Sequence, residues 1–209
     1  MLSRIDEIIY PTRCEVIELA SQRYFYPIYK NGSSSIVIHS VENNCKTLIN
    51  SQIHKCNTIN LVVRDPEARF VSGVNTYVYN LLRDTPTLDR DTVMYFVENY
   101  LFLNRHYAPQ ISWLVNLSKY CSTDCKLNLQ GMDSLYDYTT HNTTPLEEKI
   151  LTNEEIERLK SNKHNQIYKQ IDIYLVELIG KCLTFTEILE YIKSKDLVAY
   201  QKLKCIVPD

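Results

Sequence analysis

Two stretches in the first third of the chain carry side chains that hold anionic oxygens. Lys30-Asn31-Gly32-Ser33-Ser34-Ser35 combines an ammonium, a glycine and a run of hydroxyls, and Arg64-Asp65-Pro66 is followed by Arg69 and Ser72. Each comes directly after an apolar run, Tyr24-Phe25-Tyr26-Pro27-Ile28-Tyr29 before the first and Thr58-Ile59-Asn60-Leu61-Val62-Val63 before the second. Aromatic and β-branched runs of that length predict strands. A helix opening after the Gly/Ser turn leaves its leading N–H groups unpaired at the positive end of the helix dipole, a natural seat for phosphate. Gly32 lets an oxyanion approach the backbone, which a side chain would prevent. The order differs from a Walker loop, in which the Lys follows the second Gly, because Lys30 precedes Gly32. In the second stretch Asp65 predicts a helix cap and Pro66 the first turn. Arg69 and Ser72 share a face of that helix, so with Arg64 they could converge on one phosphate. Two basic turns at the carboxyl ends of neighbouring strands predict one groove, for a ligand with phosphate groups at both ends.

These residues resemble the sulfotransferases that use 3′-phosphoadenosine 5′-phosphosulfate (PAPS), particularly the Golgi carbohydrate branch with the HNK-1 and chondroitin enzymes. Pro27 to Ser35 looks like that family's 5′-phosphosulfate loop, and Val62 to Gly73 like its 3′-phosphate segment. His106-Tyr107-Ala108-Pro109-Gln110 is similar to the His-aromatic-x-Pro-Gln element that follows. Cys121 and Cys125 fall where those enzymes carry a close Cys pair, here with three intervening residues rather than two. The resemblance covers residues 24 to 125.

It implies a single α/β domain over 1–209, a three-layer, P-loop-kinase-like fold with a small parallel sheet flanked by helices and a helix-rich C-terminal part. It also implies in-line transfer of a sulfuryl group from PAPS to a hydroxyl acceptor, with carbohydrate favoured, leaving adenosine 3′,5′-bisphosphate (PAP). Lys30, Asn31, Gly32, Ser33, Ser34 and Ser35 would bind the 5′-phosphosulfate, and Arg64, Arg69 and Ser72 the 3′-phosphate. Lys30 would stabilise the leaving group and His106 would act as general base, with no metal required.

Each residue also has a purely structural reading. Arg64-Asp65-Pro66 could be an ion pair beside a helix cap, and Arg69 could brace its helix against an acidic neighbour. His106 could be a packed, hydrogen-bonded histidine, in which case His39 or a carboxylate such as Glu42 is the next base; His54 is poorly placed, and Trp113 reads as a core anchor. Two other functions compete: a nucleotide or nucleoside kinase that needs Mg²⁺, for which Asp65 is the obvious ligand, and a nucleotide-binding protein without catalysis.

The balance of 23 basic and 25 acidic side chains, net charge −2, argues against a general nucleic-acid or membrane-surface binder, so any basic patch is local. With 209 residues and 44% hydrophobic positions, one well-buried core is expected. No apolar run approaches the roughly 20 residues of a membrane span, and Met1 to Glu7 is too charged for a signal-peptide core. The expectation is a soluble, cytoplasmic chain of prokaryotic or viral origin, unlike the anchored Golgi enzymes. Cys14, Cys45, Cys56, Cys182 and Cys205 read as reduced core residues, Cys121 and Cys125 have no second pair to make a zinc site, and the sequons at Asn31, Asn116 and Asn142 lack a secretory context.

Helical spacing joins Phe70, Val74, Tyr77, Val78 and Leu81, and then Val93, Val97, Tyr100, Leu101 and Asn104. Ser122 to Leu151 is polar and turn-rich, with Lys126-Leu127-Asn128-Leu129 as a strand inside it. Thr152-Asn153-Glu154-Glu155 reads as a capping box, and Ile171, Tyr174, Leu175, Leu178 and Ile179 as the core stripe of the last helices. The acceptor pocket has no readable code and, in so short a chain, is either open or completed by a second subunit.

Overall fold

The computed structural model describes residues 14–20, 22–99, 104–138, 151–205 and 207. In order they form β1 (Val16–Ala20), β2 (Arg23–Phe25), α1 (Ser33–Glu42), β3 (Lys46–Leu48), α2 (Asn50–Ile53), β4 (Thr58–Val62), α3 (Pro66–Asp84), α4 (Arg90–Asn99) and α5 (Gln110–Ser118). Then follow β5 (Lys126–Gln130), a 3₁₀ helix (Met132–Tyr138), α6 (Asn153–Ser161), α7 (Lys163–Glu177), β6 (Cys182–Thr184), α8 (Phe185–Lys195) and α9 (Leu197–Lys204).

The strands make one mixed sheet in the order β3-β1-β2-β4-β5-β6, flanked by helices. Only β2, β4 and β5 run parallel; β1 is antiparallel to both its neighbours and β6 is antiparallel to β5. The expected parallel sheet is therefore the centre of a wider one. β1 enters β2 through a tight turn with Gln22 at φ 68, which forces antiparallel pairing, whereas β2 reaches β4 and β4 reaches β5 through helices, which permits parallel pairing.

Alternation along β4 sends its side chains to both faces. Ile59 and Leu61, with Val63 just beyond, enter the main core beside Val74, Val78, Ile111, Leu114, Ile171 and Leu175. Val62 joins a smaller core with Ile17, Leu19, Phe25, Ile36 and Leu135. Covered on both faces, β4 reads as a nearly continuous apolar run.

The sequence signals for α3 hold in detail: Asp65 Oδ1 accepts from the Ala68 N–H at 2.7 Å, Pro66 opens the helix, and Val74 and Val78 are buried with Phe70, Tyr77 and Leu81 packed beside them. Thr152 and Glu155 form the expected capping box of α6, and Thr184 with Glu187 makes a second one for α8. In α4, Val93 and Val97 are buried; Tyr100 and Leu101 lie outside the described residues, and Asn104 lies beyond the helix. Ile171, Leu175 and Leu178 are core residues, but Ile179 is 39% exposed because α7 ends at Glu177 and the chain is already turning. Among the described residues no helix is long and apolar enough to cross a membrane.

Helix α5 is buried almost all round. Its N-terminus is received by α7, where Asp172 accepts from the N–H groups of Gln110 at 2.7 Å and Ile111 at 2.9 Å. Burial drives the Asp172 carboxyl up to about 6, while Arg69 and those amides oppose the rise, so it stays ionised at neutral pH. Asp172→Ala leaves two buried amides without an acceptor. Each costs about 1–3 kcal/mol, so denaturant melts should show a loss of about 2 kcal/mol or more; a loss below half of that would mean α5 is seated by its apolar contacts alone.

Candidate functional site

Beyond β2 the chain carries no further strand, although the Tyr26 N–H bonds the Asn60 carbonyl at 3.0 Å. It then reverses through Lys30 (φ 66) and Gly32 (φ 75), both left-handed, and α1 opens at Ser33. The Ser35 and Ile36 amides both bond the Gly32 carbonyl, at 3.1 and 3.3 Å, which places the Ser33 and Ser34 amides ahead of the first helical hydrogen bond. The predicted strand–turn–helix junction is therefore present. At Gly32 the φ disfavours a side chain, and a Cβ would collide with Leu135 of the 3₁₀ helix.

Asn31 is buried at 1% exposure, with its Nδ2 donating to the Val62 carbonyl at 2.7 Å and to Gln110 Oε1 at 2.5 Å. It braces the turn from behind and leaves the set of groups open to a phosphosulfate. Its burial, like that of Asn116, also removes it as a glycosylation site; Asn142 lies outside the described residues.

The second turn is held by the same glutamine. Gln110 Oε1 accepts from the Arg64 N–H at 2.9 Å and Nε2 donates to the Arg64 carbonyl at 2.8 Å, the pairing that a neighbouring strand would provide. The half-buried Arg64 side chain reaches the first turn, where Nη1 donates to the Lys30 carbonyl at 3.1 Å. The Lys30 ammonium crosses to α3 and donates to Thr76 Oγ1 at 2.5 Å, and the Thr76 hydroxyl donates to the Ser72 carbonyl at 3.0 Å. Lys30, Arg64 and the Ser72 turn of α3 are thus neighbours.

Arg69 is a correction. Its side chain is 1% exposed, with Nε donating to the Tyr29 carbonyl at 3.1 Å and Nη1 to the Ala108 carbonyl at 2.5 Å. Burial lowers its pKa to about 10, against the pull of Asp172, and it remains a cation that clamps the first turn to the segment before α5. Two of its three nitrogens are thereby committed to backbone carbonyls and the side chain is withdrawn from the surface. The brace reading applies, with Asp172 as the acidic neighbour.

His106 sits in that segment. Gly73 allows α3 to lie against it, since a Cβ there would collide with the His106 carbonyl. The half-buried imidazole packs edge-on against Tyr29, with centroids 5.5 Å apart; Tyr29 in turn stacks on Trp113 at 5.4 Å and lies under the Arg105 guanidinium at 4.5 Å. Burial first, then Lys30, Arg105 and Arg69, push the His106 pKa down to about 4. The ring is neutral at physiological pH, with three cationic side chains disfavouring its protonated form. Of the alternative bases, the His39 carbonyl accepts from Asn43 along α1, Glu42 is exposed nine residues from Ser33, about 14 Å along the helix, and His54 is exposed.

Cys14 and Cys56 are buried as expected, but Cys182 and Cys205 are exposed, on the edge strand β6 and after α9. Cys121 and Cys125 are free thiols, and a hydrogen bond to Cys125 together with burial pushes the Cys121 thiol up. The roles of Gln110, Gly73 and Thr76 were not legible in their residue types; the one signal for Gln110 is a polar residue directly after Pro109 at the head of an apolar helix.

Comparison with family models, curated proteins and solved structures yields no match to this chain. The site's electrostatics can be tested without a ligand. With His106 titrating near 4 in the folded chain and near 6.5 in the unfolded one, the unfolded state binds more protons between those values, so His106 lowers stability as the pH falls through that window. Asp172, shifted upward, acts with the opposite sign in wild type and variant alike. His106→Gln should therefore lose less stability than wild type between pH 6.5 and pH 4; parallel curves would mean that the imidazole is not held neutral.

Proposed function

We propose that this chain is a PAPS-dependent sulfotransferase with a three-layer, P-loop-kinase-like architecture, acting on a hydroxyl acceptor with carbohydrate favoured. The observation that carries the reading is the meeting of the two basic turns: Arg64 Nη1 on the Lys30 carbonyl, the Lys30 ammonium one helical turn from Ser72, and a neutral His106 within the field of that ammonium. The donor set suits a doubly phosphorylated nucleotide. It offers helix-leading amides at Ser33 and Ser34, an ammonium at Lys30, a guanidinium at Arg64 and a hydroxyl at Ser72.

PAPS supplies the sulfuryl group and a phosphate leaving group. Lys30 and the amides of Ser33 and Ser34 stabilise the negative charge that grows on the leaving oxygen, and their positions are fixed before the reaction. Arg64 and Ser72 hold the 3′-phosphate and distinguish PAPS from ATP. His106 accepts the acceptor hydroxyl proton. Asn31, Arg69 and Gln110 act behind the groove by keeping both turns in register.

PAP should raise the melting temperature, by an amount equivalent to about 2.7 kcal/mol at a hundredfold excess over its dissociation constant. Arg64→Ala should weaken PAP about tenfold or more, as the loss of charged hydrogen bonds implies, and adenosine 5′-phosphosulfate much less. His106→Ala should leave PAP affinity unchanged and reduce kcat about a hundred- to ten-thousandfold on an acceptor found by panel. Stabilisation by ATP with Mg²⁺ but not by millimolar PAP would replace this reading with a kinase-like one.

A further inference from the structure

We propose that Asn104 is a positioning residue that fixes His106 as the Nδ1–H tautomer and leaves Nε2 as the proton-accepting nitrogen. Asn104 Oδ1 lies 2.9 Å from the backbone nitrogen of His106 and 2.6 Å from its Nδ1. A backbone N–H can only donate, so the Asn104 atom facing it must be the oxygen; this removes the usual ambiguity between the two ends of a carboxamide. An amide oxygen can only accept. Nδ1, facing that same oxygen, therefore carries the proton, and a neutral imidazole with Nδ1–H has its lone pair on Nε2.

The short loop is built to keep this contact. Asn104 closes an Asx turn over His106, which ties the side chain of one residue to the backbone of the other. From the opposite side α3 presses on the His106 carbonyl at Gly73, and the Tyr29 ring limits the imidazole plane. The charged groups facing the ring are Lys30, Arg105 and Arg69, all cationic. With those charges nearby the ring stays neutral, so the choice of tautomer, rather than the protonation state, decides which nitrogen can act. The use of Nε2 as a catalytic base rests on the sulfotransferase reading; the tautomer itself does not.

Nitrogen-15 labelling of histidine with long-range proton–nitrogen correlation reads the tautomer directly, and His106→Gln assigns the signals among the five histidines. Wild type at pH 7 should show His106 with Nδ1 protonated and Nε2 bare, and the pattern should persist until the pH approaches 4. Asn104→Ala should shift His106 toward the Nε2–H tautomer. Asn104→Asp keeps an acceptor at the same place, so it should restore Nδ1–H and, by adding a negative charge, raise the ring's titration point by a unit or more, about tenfold in proton affinity. Nε2–H in wild type, or Nδ1–H retained in Asn104→Ala, would overturn the proposal. If Asn104→Ala does not fold, an unmoved titration point in Asn104→Asp would overturn it. Loss of PAP binding with the tautomer intact would refute the sulfotransferase reading alone, whereas PAP binding with the other tautomer would refute this inference alone.

Discussion

The carboxamide of Gln110 is withdrawn completely from water, and in that position its donor and acceptor must find partners inside the protein. Its partners are the Arg64 N–H, the Arg64 carbonyl and the Asn31 amide, so one side chain ties the turn after β2 to the turn after β4. Both turns lie where a sheet has run out of strand to pair with. A backbone there could not remain both buried and fixed without a surrogate partner. Arg69 provides a second tie, from the Tyr29 carbonyl to the Ala108 carbonyl, and Asp172 anchors the helix that begins with Gln110. Networks of this kind are costly when incomplete and rigid when satisfied. Here the ties hold the backbone at Lys30 and Arg64, while two buried atoms of the network, Asn31 Oδ1 and Arg69 Nη2, have no hydrogen-bond partner among the described residues.

The same network accounts for the division of the charged residues. Arg64 and Arg69 are five positions apart on adjoining stretches, yet one is half-buried with its guanidinium at the first turn and the other is enclosed by backbone carbonyls. A helix face can be inferred from spacing, but depth cannot. Arg69 lies on the first turns of α3, where the helix passes under the segment containing Ala108, while Arg64 precedes the helix and remains at the rim. Removing Arg69 would free the Tyr29 and Ala108 carbonyls that it clamps together.

Local signals were legible where a single stretch of sequence decides the outcome. The cap at Asp65, the helix start at Pro66, the stripe through Val74 and Val78, the strands at β2 and β4 and the box at Thr152 each depend on a few neighbouring residues, and each is present. What was not legible depends on residues far apart. The edge strands β3 and β6 are only three residues long, too short to announce themselves, and their antiparallel pairing, like that of the inner strand β1, is set by connections rather than by composition. Asn31 reads as a turn residue and is one, but its inward direction follows from a glutamine nearly eighty positions later. Gly32 was legible as a glycine that a turn requires; the Leu135 methyl that occupies the space over it was not.

Charge and hydrogen bonding act on His106 in complementary ways. The cations around it, together with burial, disfavour the imidazolium, so proton acceptance is not favoured in the groove by itself. The balance changes when negative charge enters, because phosphate oxygens near Lys30 and Arg64 offset the positive field that depresses the ring. A dianionic ligand would therefore raise the basicity of His106 as it binds, coupling occupancy of the groove to the capacity to take a proton. The free chain would hold a weak base and the liganded chain a stronger one, without any movement of the backbone. On the sulfotransferase reading proposed above, an acceptor hydroxyl bound without its donor would meet an imidazole too weakly basic to activate it.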